Sequence, residues 1–494
     1  MIAKGASIVL AGTTIGTGLR FLFRALIGRF LGPSVLGLFL IGLGLFRILE
    51  RVACLGIQNG VVRYVALYAG EGDLNRAKGT IHSGLRIVIV SGILTAAVLF
   101  FGSGIVANEI YESVDLVGVL KAFSLAIPFS VISTILLFTT QGFQVMKYKV
   151  YVREFGEPLS RILVFSLLCI LGWKLDGVLF AFLLSVTLGM FMSFYYLKKA
   201  FPPFFMKKIV SIYETQKLLH FSWPLFLVGF FYLIILWVNT LLIGYFLSSD
   251  DVGIFGAAHS VGMLGLVVVN AFVSIFAPVI SDLSNKEEYE KLKSLFKVVT
   301  KWTFTLSLPI FVLMIYFARD ILHATYGEVF EQGAHALMIL SLAFLINSIM
   351  GSAGILTAMS GKPKIEFFNL GAVLIVNVVL SIVLIPIYGI LGAAYSTLCS
   401  FVLLNFLRII EVGFLFRTHP FRKDSYKPLL SGGLSTLVLF LIINYMPLRL
   451  NTYSEFIGGS LLFCGMYFLI LLLLGLEEED RVIITRIKRK MRNE

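Results

Sequence analysis

Long apolar stretches follow one another along almost the whole chain, and this succession restricts the folds that it can adopt. A helix of about 20 mostly apolar residues crosses the hydrocarbon core of a bilayer. Only 14% of the residues are charged, whereas a soluble domain carries roughly 25%. We therefore predict an all-α integral membrane protein with about fourteen transmembrane helices. The predicted spans are residues 7–31, 35–57, 80–102, 116–140, 153–173, 177–197, 218–246, 251–280, 299–318, 332–358, 366–386, 389–416, 428–446 and 456–476.

The basic residues indicate how these helices are oriented. Lys and Arg accumulate in cytoplasmic loops, and of the 41 basic residues 29 fall on one side of the predicted spans and five on the other. This bias predicts a protein of the cell membrane with both termini in the cytoplasm. The first span follows Lys4 without a small-residue cleavage site, so we expect no signal peptide. The formal net charge of +13 follows from the same bias and requires no nucleic-acid partner.

An internal repeat divides the predicted spans. The segment LGPSVLGLF at residues 31–39, which leads into span 2, resembles LSSDDVGIF at residues 247–255, which leads into span 8. Each repeat then holds six spans, an even number that keeps both in the same orientation, as in transporters whose halves rock around a central site. The predicted units are an N-terminal lobe (1–200), a C-terminal lobe (201–420), spans 13 and 14 (421–476) and a basic cytoplasmic tail (477–494).

Charged side chains inside the first two spans are the strongest functional signal. Arg20 and Arg24 are four residues apart, as are Arg47 and Arg51, so each pair shares a helix face, and Glu50 lies beside the second pair. Such groups are costly at bilayer depth and normally face a cavity or a partner. Four positive charges and one negative charge match a phosphate or pyrophosphate, because a guanidinium binds its oxygens bidentately. The alternative is that these arginines reach toward the membrane surface, which suits Arg24 and Arg51 better than Arg20 and Arg47.

Four further residues are accessory candidates, each with a structural alternative. Arg86 lies near the cytoplasmic end of span 3 and either guides a headgroup inward or anchors the helix. Arg161 is four residues from Glu157, so it contributes to the cavity or forms a neutral pair within one helix. Asn239 and Asn270 lie in spans 7 and 8, whose centres carry no charge; they hydrogen-bond to sugars or serve in packing.

A second intrahelical pair is predicted in span 12. Arg408 and Glu411 are three residues apart, a spacing at which oppositely charged side chains of a helix meet. We therefore expect these two residues to neutralise each other without a role in binding.

Several local motifs resemble one known family. They are the amphipathic opening span with Arg20 and Arg24, the Gly32-Pro33 turn into span 2, the segment QNGVVRY at residues 58–64 and the Gln141-Gly142 turn after span 4. Together with the predicted arrangement of six, six and two spans, they resemble the polysaccharide transporters, or Wzx-like oligosaccharide flippases, of the multidrug/oligosaccharidyl-lipid/polysaccharide (MOP) exporter superfamily.

The resemblance implies a substrate class and partners. Members of that family move oligosaccharides attached to a polyprenyl phosphate or pyrophosphate from the cytoplasmic to the outer leaflet. The implied partners are such a lipid-linked oligosaccharide, the surrounding membrane lipids and the glycan assembly enzymes.

Four other functions compete with this interpretation, and one of them, a purely structural scaffold, would not explain the central arginines. Another is a flippase for the peptidoglycan lipid precursor. A multidrug or cation antiporter would need membrane carboxylates, and the candidates Glu50 and Glu411 each have an arginine three residues away. An enzyme would need catalytic carboxylates or a large polar loop, but the sequence offers neither a nucleotide-binding motif nor a metal cluster. We therefore expect a transporter, with no catalytic residue, cofactor or metal, and the energy source stays open between an ion gradient and removal of the product.

Overall fold

The computed structural model describes residues 2–206, 210–360, 363–420, 424, 426–445 and 452–475. These residues form α-helices joined by short turns, and no β-strand occurs among them. The helices are α1 (Ile2–Cys54), α2 (Ile57–Gly70), α3 (Leu74–Ile105), α4 (Asp115–Gly142), α5 (Lys147–Lys149), α6 (Glu157–Ile170), α7 (Leu175–Ala200), α8 (Thr215–Phe246), α9 (Ser249–Gly265), α10 (Val267–Asn285), α11 (Tyr289–Tyr316), α12 (Ala318–Tyr326), α13 (Ala334–Met359), α14 (Pro363–Tyr388), α15 (Ile390–Phe416), α16 (Tyr426–Tyr445) and α17 (Thr452–Leu473).

The helices confirm the predicted class of an all-α protein with many spans. In the described part of the chain, eleven helices are long and apolar enough to cross a membrane, or twelve if the bent pair formed by α9 and the start of α10 is one span. The count of fourteen and the division into two lobes stay predictions. The predicted basic tail at 477–494 lies outside the described residues.

The first helix explains part of the difference in the count. Its apolar region, Val9–Cys54, has 46 residues, which at 1.5 Å per residue is about 69 Å, more than twice the thickness of a hydrocarbon core. The chain bends at Gly32, which has a φ of 84°, and Pro33 follows. A positive φ suits glycine because it has no Cβ, so this position permits the bend between the predicted spans 1 and 2.

A π-helix explains another part of the difference between the predicted number of spans and the number found. The predicted fifth span begins at residue 153, but the α-helix there, α6, has only 14 residues and follows a π-helix, Val150–Gly156. π-Helical turns are rare, and they occur frequently at functional sites. The added residue per turn changes which side chains of this segment face α1 and α4.

The two copies of the repeated motif contact each other. A Cβ built at Gly37 would lie 1.7 Å from the Ser249 carbonyl oxygen, and one built at Gly253 would lie 2.0 Å from the Pro33 carbonyl oxygen. Alignment of the two segments pairs Pro33 with Ser249 and Gly37 with Gly253. The contact is therefore reciprocal, as at a two-fold interface, and it requires glycine on both sides.

A second pair of contacts shows the same relationship. Gly28 packs against the ring of Tyr326, and Gly244, the counterpart of Gly28 in the same alignment, packs against the ring of Tyr111. The alignment pairs Tyr111 with Gly327, the immediate neighbour of Tyr326. Local two-fold symmetry thus extends beyond the repeated motif that the sequence reveals.

The segment that precedes α8 is fastened to α3. The Ile212 amide donates to the Asn75 carbonyl oxygen at 3.2 Å, and the Lys78 ammonium donates to the Met206 carbonyl oxygen at 2.6 Å. Next to them, the Tyr68 hydroxyl donates to Glu214 and lowers the pKa of that carboxyl. These bonds fix the start of α8 beside α2 and α3.

The last two helices pack on α11. Leu439, Phe463 and Tyr467 are fully buried there, and the Tyr467 hydroxyl donates to the Thr305 carbonyl oxygen at 2.9 Å. α16 and α17 therefore cover one side of the molecule through apolar contacts.

The reciprocal glycine contact gives a stability prediction. We expect Gly253→Ala to destabilise the protein by about 1–3 kcal/mol, because its Cβ would meet backbone atoms that cannot rotate away. Gly102→Ala is the control: it lies within the helical segment of α3 with no atom within 4 Å of its Cβ, and we expect it to be neutral or slightly stabilising. Thermal melting of the purified proteins measures both, and equal melting temperatures would contradict the proposed close contact.

Candidate functional site

A cavity of about 510 Å³ lies among α1, α2, α4, α5, α6, α8 and the π-helix. Six basic side chains line it: Arg20, Arg47, Arg51, Lys149, Arg153 and Arg161. Three acidic side chains line it as well: Glu50, Glu154 and Glu157. The described lining thus carries three more positive charges than negative ones.

Two arginines of α1 are held by carboxylates. Arg20 Nη1 donates to Glu154 Oε2 at 2.7 Å, which connects α1 to the π-helix. Arg47 Nη1 donates to Glu50 Oε2 at 3.0 Å within α1. Both arginine side chains keep about a third of their surface exposed, so each can still reach a ligand in the cavity.

Arg153 is the centre of the charge network. Its guanidinium forms ion pairs with Glu157 at 3.2 Å and Glu50 at 3.7 Å. It also donates to the Thr134 hydroxyl at 2.6 Å and to the Ser130 carbonyl oxygen at 3.1 Å. One arginine from the π-helix therefore neutralises two carboxylates and ties α1, α4 and α6 together.

Arg51 has no carboxylate within ion-pair distance among the described residues. Its Nε atom is buried without a hydrogen-bond partner. Its guanidinium packs against Gly229 of α8, where a Cβ would lie 1.6 Å from Nη2. The missing Cβ therefore leaves the space that Arg51 occupies.

Lys149 and Arg161 also lack a carboxylate partner within the described part of the chain. Lys149 Nζ lies 4.3 Å from the centre of the Phe138 ring. Arg161 is 7% exposed; its Nε donates to the Ser185 hydroxyl at 3.1 Å and its guanidinium lies 4.4 Å from the Phe182 ring centre. Aromatic rings and a hydroxyl solvate these cations but leave their charge uncompensated.

This arrangement is suited to binding an anion with more than one negative charge. A charge withdrawn from water without a carboxylate partner is costly, and three such cations line this cavity, Arg161 buried and Arg51 and Lys149 partly buried. Guanidinium groups match phosphate oxygens and stay protonated when they leave water. Among the described residues, no group of three or more His, Cys, Asp or Glu side chains is placed to hold a metal ion.

The structure brings together five of the residues predicted from the sequence. Arg20, Arg47, Glu50, Arg51 and Arg161 all line the cavity. Their role in binding stays a prediction, but their common location follows from the fold.

Two of the predicted cations lie elsewhere. Arg24 does not line the cavity and donates instead to the Ser260 hydroxyl of α9 at 3.0 Å. Arg86 is exposed, and its guanidinium lies 4.7 Å from the Tyr213 ring centre. These contacts favour structural roles for both residues.

Asn239 and Asn270 line a second, smaller cavity of about 210 Å³ that adjoins the first at Tyr232 and Leu236. The Asn239 amide nitrogen donates to the Thr397 hydroxyl at 2.7 Å, and its oxygen accepts from the Ser381 hydroxyl at 2.7 Å. Asn239 therefore connects helices, which favours the packing role over direct contact with a sugar.

The predicted intrahelical ion pairs are wrong. Glu157 binds Arg153, because Arg161 turns toward α7 and donates to Ser185. Arg408 binds Glu366 of α14, and Glu411 accepts from Asn369 at 2.8 Å. In both places a partner on a different turn or helix replaces the neighbour expected from helical spacing.

Sequence reasoning misses Lys149, Arg153 and Glu154. It places all three at the cytoplasmic boundary of span 5, because it expects an ordinary α-helix to begin there. One signal for these residues is present in the sequence. Arg153 and Glu157, which stands beside Pro158, are four residues apart, and opposite charges at this spacing pair on a helix. This spacing indicates that the charged part of the helix continues toward the membrane.

Removing the central arginine tests the network. We expect Arg153→Ala to destabilise the protein by about 3–5 kcal/mol, because Glu50 and Glu157 would lose their shared partner in a largely buried place. Arg86→Ala, at an exposed site, should leave the melting temperature almost unchanged. Equal thermal stability of the two variants would show that Arg153 does not organise the cavity.

Comparisons with known proteins agree on the kind of protein. The sequence model of the polysaccharide biosynthesis protein family matches residues 2–284, and that of the MatE family matches residues 224–383. The probable flippase AglR of Haloferax volcanii is 27% identical over 215 residues, which cover 43% of this chain and 45% of that protein. An uncharacterised membrane protein of Methanocaldococcus jannaschii is 23% identical over 94% of both chains. The teichuronic acid biosynthesis protein TuaB of Bacillus subtilis is 23% identical over 57% of both.

Two solved structures share the fold. The lipid II flippase MurJ in an inward closed conformation has a TM-score of 0.74 at 16% identity, over 94% of this chain and 98% of that one. An inward-facing multidrug resistance transporter of the MATE family, within the MOP superfamily, has a TM-score of 0.66 at 14% identity, over 82% of this chain and 96% of that one. At these identities the likeness shows the fold alone.

Proposed function

This chain belongs to the polysaccharide biosynthesis protein family, and from that premise we propose that it is a flippase for oligosaccharides linked to a polyprenyl phosphate or pyrophosphate. The substrate would move from the cytoplasmic to the outer leaflet by alternating access. The observation that carries this proposal is the excess of three positive charges in the cavity. Relatives named for flipping and for teichuronic acid biosynthesis support the same class of substrate.

The phosphate would meet the uncompensated cations first. Arg51, Lys149 and Arg161 line the cavity with no carboxylate partner to displace among the described residues. The guanidinium groups offer fork-shaped donors, and Lys149 adds a point charge. An anion there gains charge-assisted hydrogen bonds that are stronger than those between neutral groups.

The carboxylates would hold the remaining arginines in the protein before substrate binds. Glu154 binds Arg20 and Glu50 binds Arg47, so both arginines have an anionic partner before the substrate arrives. A pyrophosphate oxygen can replace either carboxylate, because both arginines remain partly exposed. This exchange lowers the cost of keeping a positive cavity inside an apolar protein.

We also propose the complete layout: fourteen spans, two lobes of six, a C-terminal pair, and both termini in the cytoplasm at the plasma membrane. The double length of α1 accounts for two spans, and the π-helix with α6 for one more. The reciprocal contacts of Gly37 and Gly253 support the two-lobe arrangement. Enzymes that assemble the glycan on its lipid are the expected partners.

The main alternative is a multidrug or cation antiporter, which the MatE match at residues 224–383 favours. The cavity argues against it, because three excess positive charges repel an organic cation. A second alternative, a flippase for a peptidoglycan precursor, is favoured by the fold shared with MurJ. The same cavity would bind that pyrophosphate, so only the substrate assay separates these two lipids.

Arg51 provides the clearest functional test. We expect Arg51→Ala to reduce flipping of a lipid-linked oligosaccharide in proteoliposomes by at least about tenfold, since one charged hydrogen bond contributes roughly 1.5–3 kcal/mol. No described carboxylate loses its ion-pair partner in this variant, so its fold should persist. Arg51→Lys should retain part of the activity. Arg86→Ala is the control, and wild-type transport by Arg51→Ala would refute the assigned role.

Glu154 provides a test in the opposite direction. We expect Glu154→Gln to raise the affinity for undecaprenyl pyrophosphate several-fold, because Arg20 loses its competing carboxylate. Glu290→Gln, which breaks the surface ion pair with Lys293, should leave the affinity unchanged. Binding to the protein in lipid nanodiscs measures both, and weaker binding by Glu154→Gln would contradict the exchange of carboxylate for phosphate.

A further inference from the structure

The second cavity is the counterpart of the charged one. Six residues of the charged cavity are Arg47, Glu50, Cys54, Glu154, Glu157 and Arg161. The alignment that pairs Gly37 with Gly253, continued without a gap, pairs these six in order with Met263, Leu266, Asn270, Leu370, Val373 and Asn377, and all six line the second cavity. The two copies of the repeat therefore line two hollows at equivalent positions, and α8 contributes to the lining of both.

The chemistry of the two hollows has diverged. Every charged member of the first set is replaced in the second by an apolar or amide side chain. The second cavity keeps one ion pair, between Glu366 and Arg408, so the charges of its described lining cancel. An anion has no advantage there, whereas an uncharged polar ligand does.

Several buried polar atoms of the second cavity have no hydrogen-bond partner. They include Glu366 Oε2, Arg408 Nε and Asn377 Oδ1. Asn377 is 1% exposed, and its amide nitrogen donates to the Ser400 hydroxyl at 3.0 Å, so its oxygen alone stays free. Buried polar atoms are almost always hydrogen-bonded, so atoms left without a partner point to a ligand or to water.

Arg408 is held in a defined position. It packs against Gly354 of α13, where a Cβ would lie 2.6 Å from Nη2. Arg51 packs against Gly229 of α8 in the same way beside the first cavity. Glycine therefore leaves space for a guanidinium beside each hollow.

We propose that the second cavity binds one sugar unit of the lipid-linked glycan while the first cavity binds its phosphate. This inference rests on the function proposed above and adds a separate subsite to it. A carboxylate, a guanidinium and an amide oxygen suit the adjacent hydroxyl groups of a pyranose ring, and the aromatic lining, including Phe344 and Phe401, suits its apolar face. A volume of about 210 Å³ fits a single monosaccharide rather than a longer chain.

The two cavities are placed to receive one molecule. Tyr232 and Leu236 of α8 line both. A lipid with its phosphate in the charged cavity and its first sugar in the neutral cavity would therefore pass beside Tyr232, where the two cavities adjoin. Tyr232 is 55% exposed and offers a ring on which a sugar can stack.

The test compares three lipids in nanodiscs: undecaprenyl pyrophosphate alone, with one hexose, and with one N-acetylhexosamine. We expect the wild-type protein to bind at least one glycosylated lipid more tightly than the bare lipid. Glu366→Gln and Asn377→Ala should each weaken binding of that lipid by about tenfold and leave the affinity for the bare lipid unchanged.

The controls separate the two proposals. Glu411→Gln is the matched carboxylate control, because Glu411 binds Asn369 and does not line the cavity. Asn377→Ala keeps the test valid if Glu366→Gln does not fold for want of a partner for Arg408. Arg51→Ala should weaken binding of all three lipids, which tests the phosphate site alone.

Two results would overturn the sugar subsite. One is equal affinity of the wild-type protein for the bare and both glycosylated lipids. The other is a preference for the glycosylated lipid that survives in both Glu366→Gln and Asn377→Ala. If the phosphate site is wrong, each lipid will instead bind to the wild-type protein and to Arg51→Ala with the same affinity.

Discussion

Uncompensated positive charge inside an apolar helical protein is the condition that the rest of the structure must accommodate. Arg51, Lys149 and Arg161 line one cavity without a described carboxylate partner, and placing a charge in such surroundings is costly. The protein limits that cost with carboxylates on the other three cations, through Arg153 above all. Aromatic rings contact Lys149 and Arg161, and Arg161 also donates to the Ser185 hydroxyl. This excess of positive charge is the reason for proposing an anionic ligand.

The sequence predicts the class of the fold and much of the charged cavity. Helical periodicity places Arg47 and Glu50 on one face, and they pair at 3.0 Å. Prediction from helical periodicity fails where the backbone is not α-helical, because the π-helix at Val150–Gly156 brings Arg153 into the interior. It fails again for Arg408, whose partner Glu366 is 42 residues away on another helix. Local spacing cannot reveal a partner that tertiary packing supplies.

The two copies of the internal repeat carry hollows of different charge. Gly37 and Gly253 make the same contact from opposite sides, and both halves keep a hollow at equivalent positions. The two copies of the repeat therefore share their backbone geometry and differ in the side chains that line their cavities. Arg161 and Asn377 illustrate this, since they occupy corresponding places and carry a charge and an amide respectively. A duplicated fold can in this way present two chemically different surfaces to two parts of one ligand.

A ligand moves a protein between two states only by as much as it binds one better than the other. A bare phosphate that contacts Lys149 and Arg161 depends little on how the two halves are placed, because the rings and the hydroxyl that contact these residues lie in the first half. A ligand that also contacts Glu366 and Asn377 binds well only while both cavities stay adjoined at Tyr232. Binding of the sugar would then depend on the relative position of the two halves. Its binding energy would favour the arrangement that encloses both the sugar and the phosphate. In that case the neutral cavity, rather than the charged one, makes transport selective for the glycosylated lipid over the empty carrier.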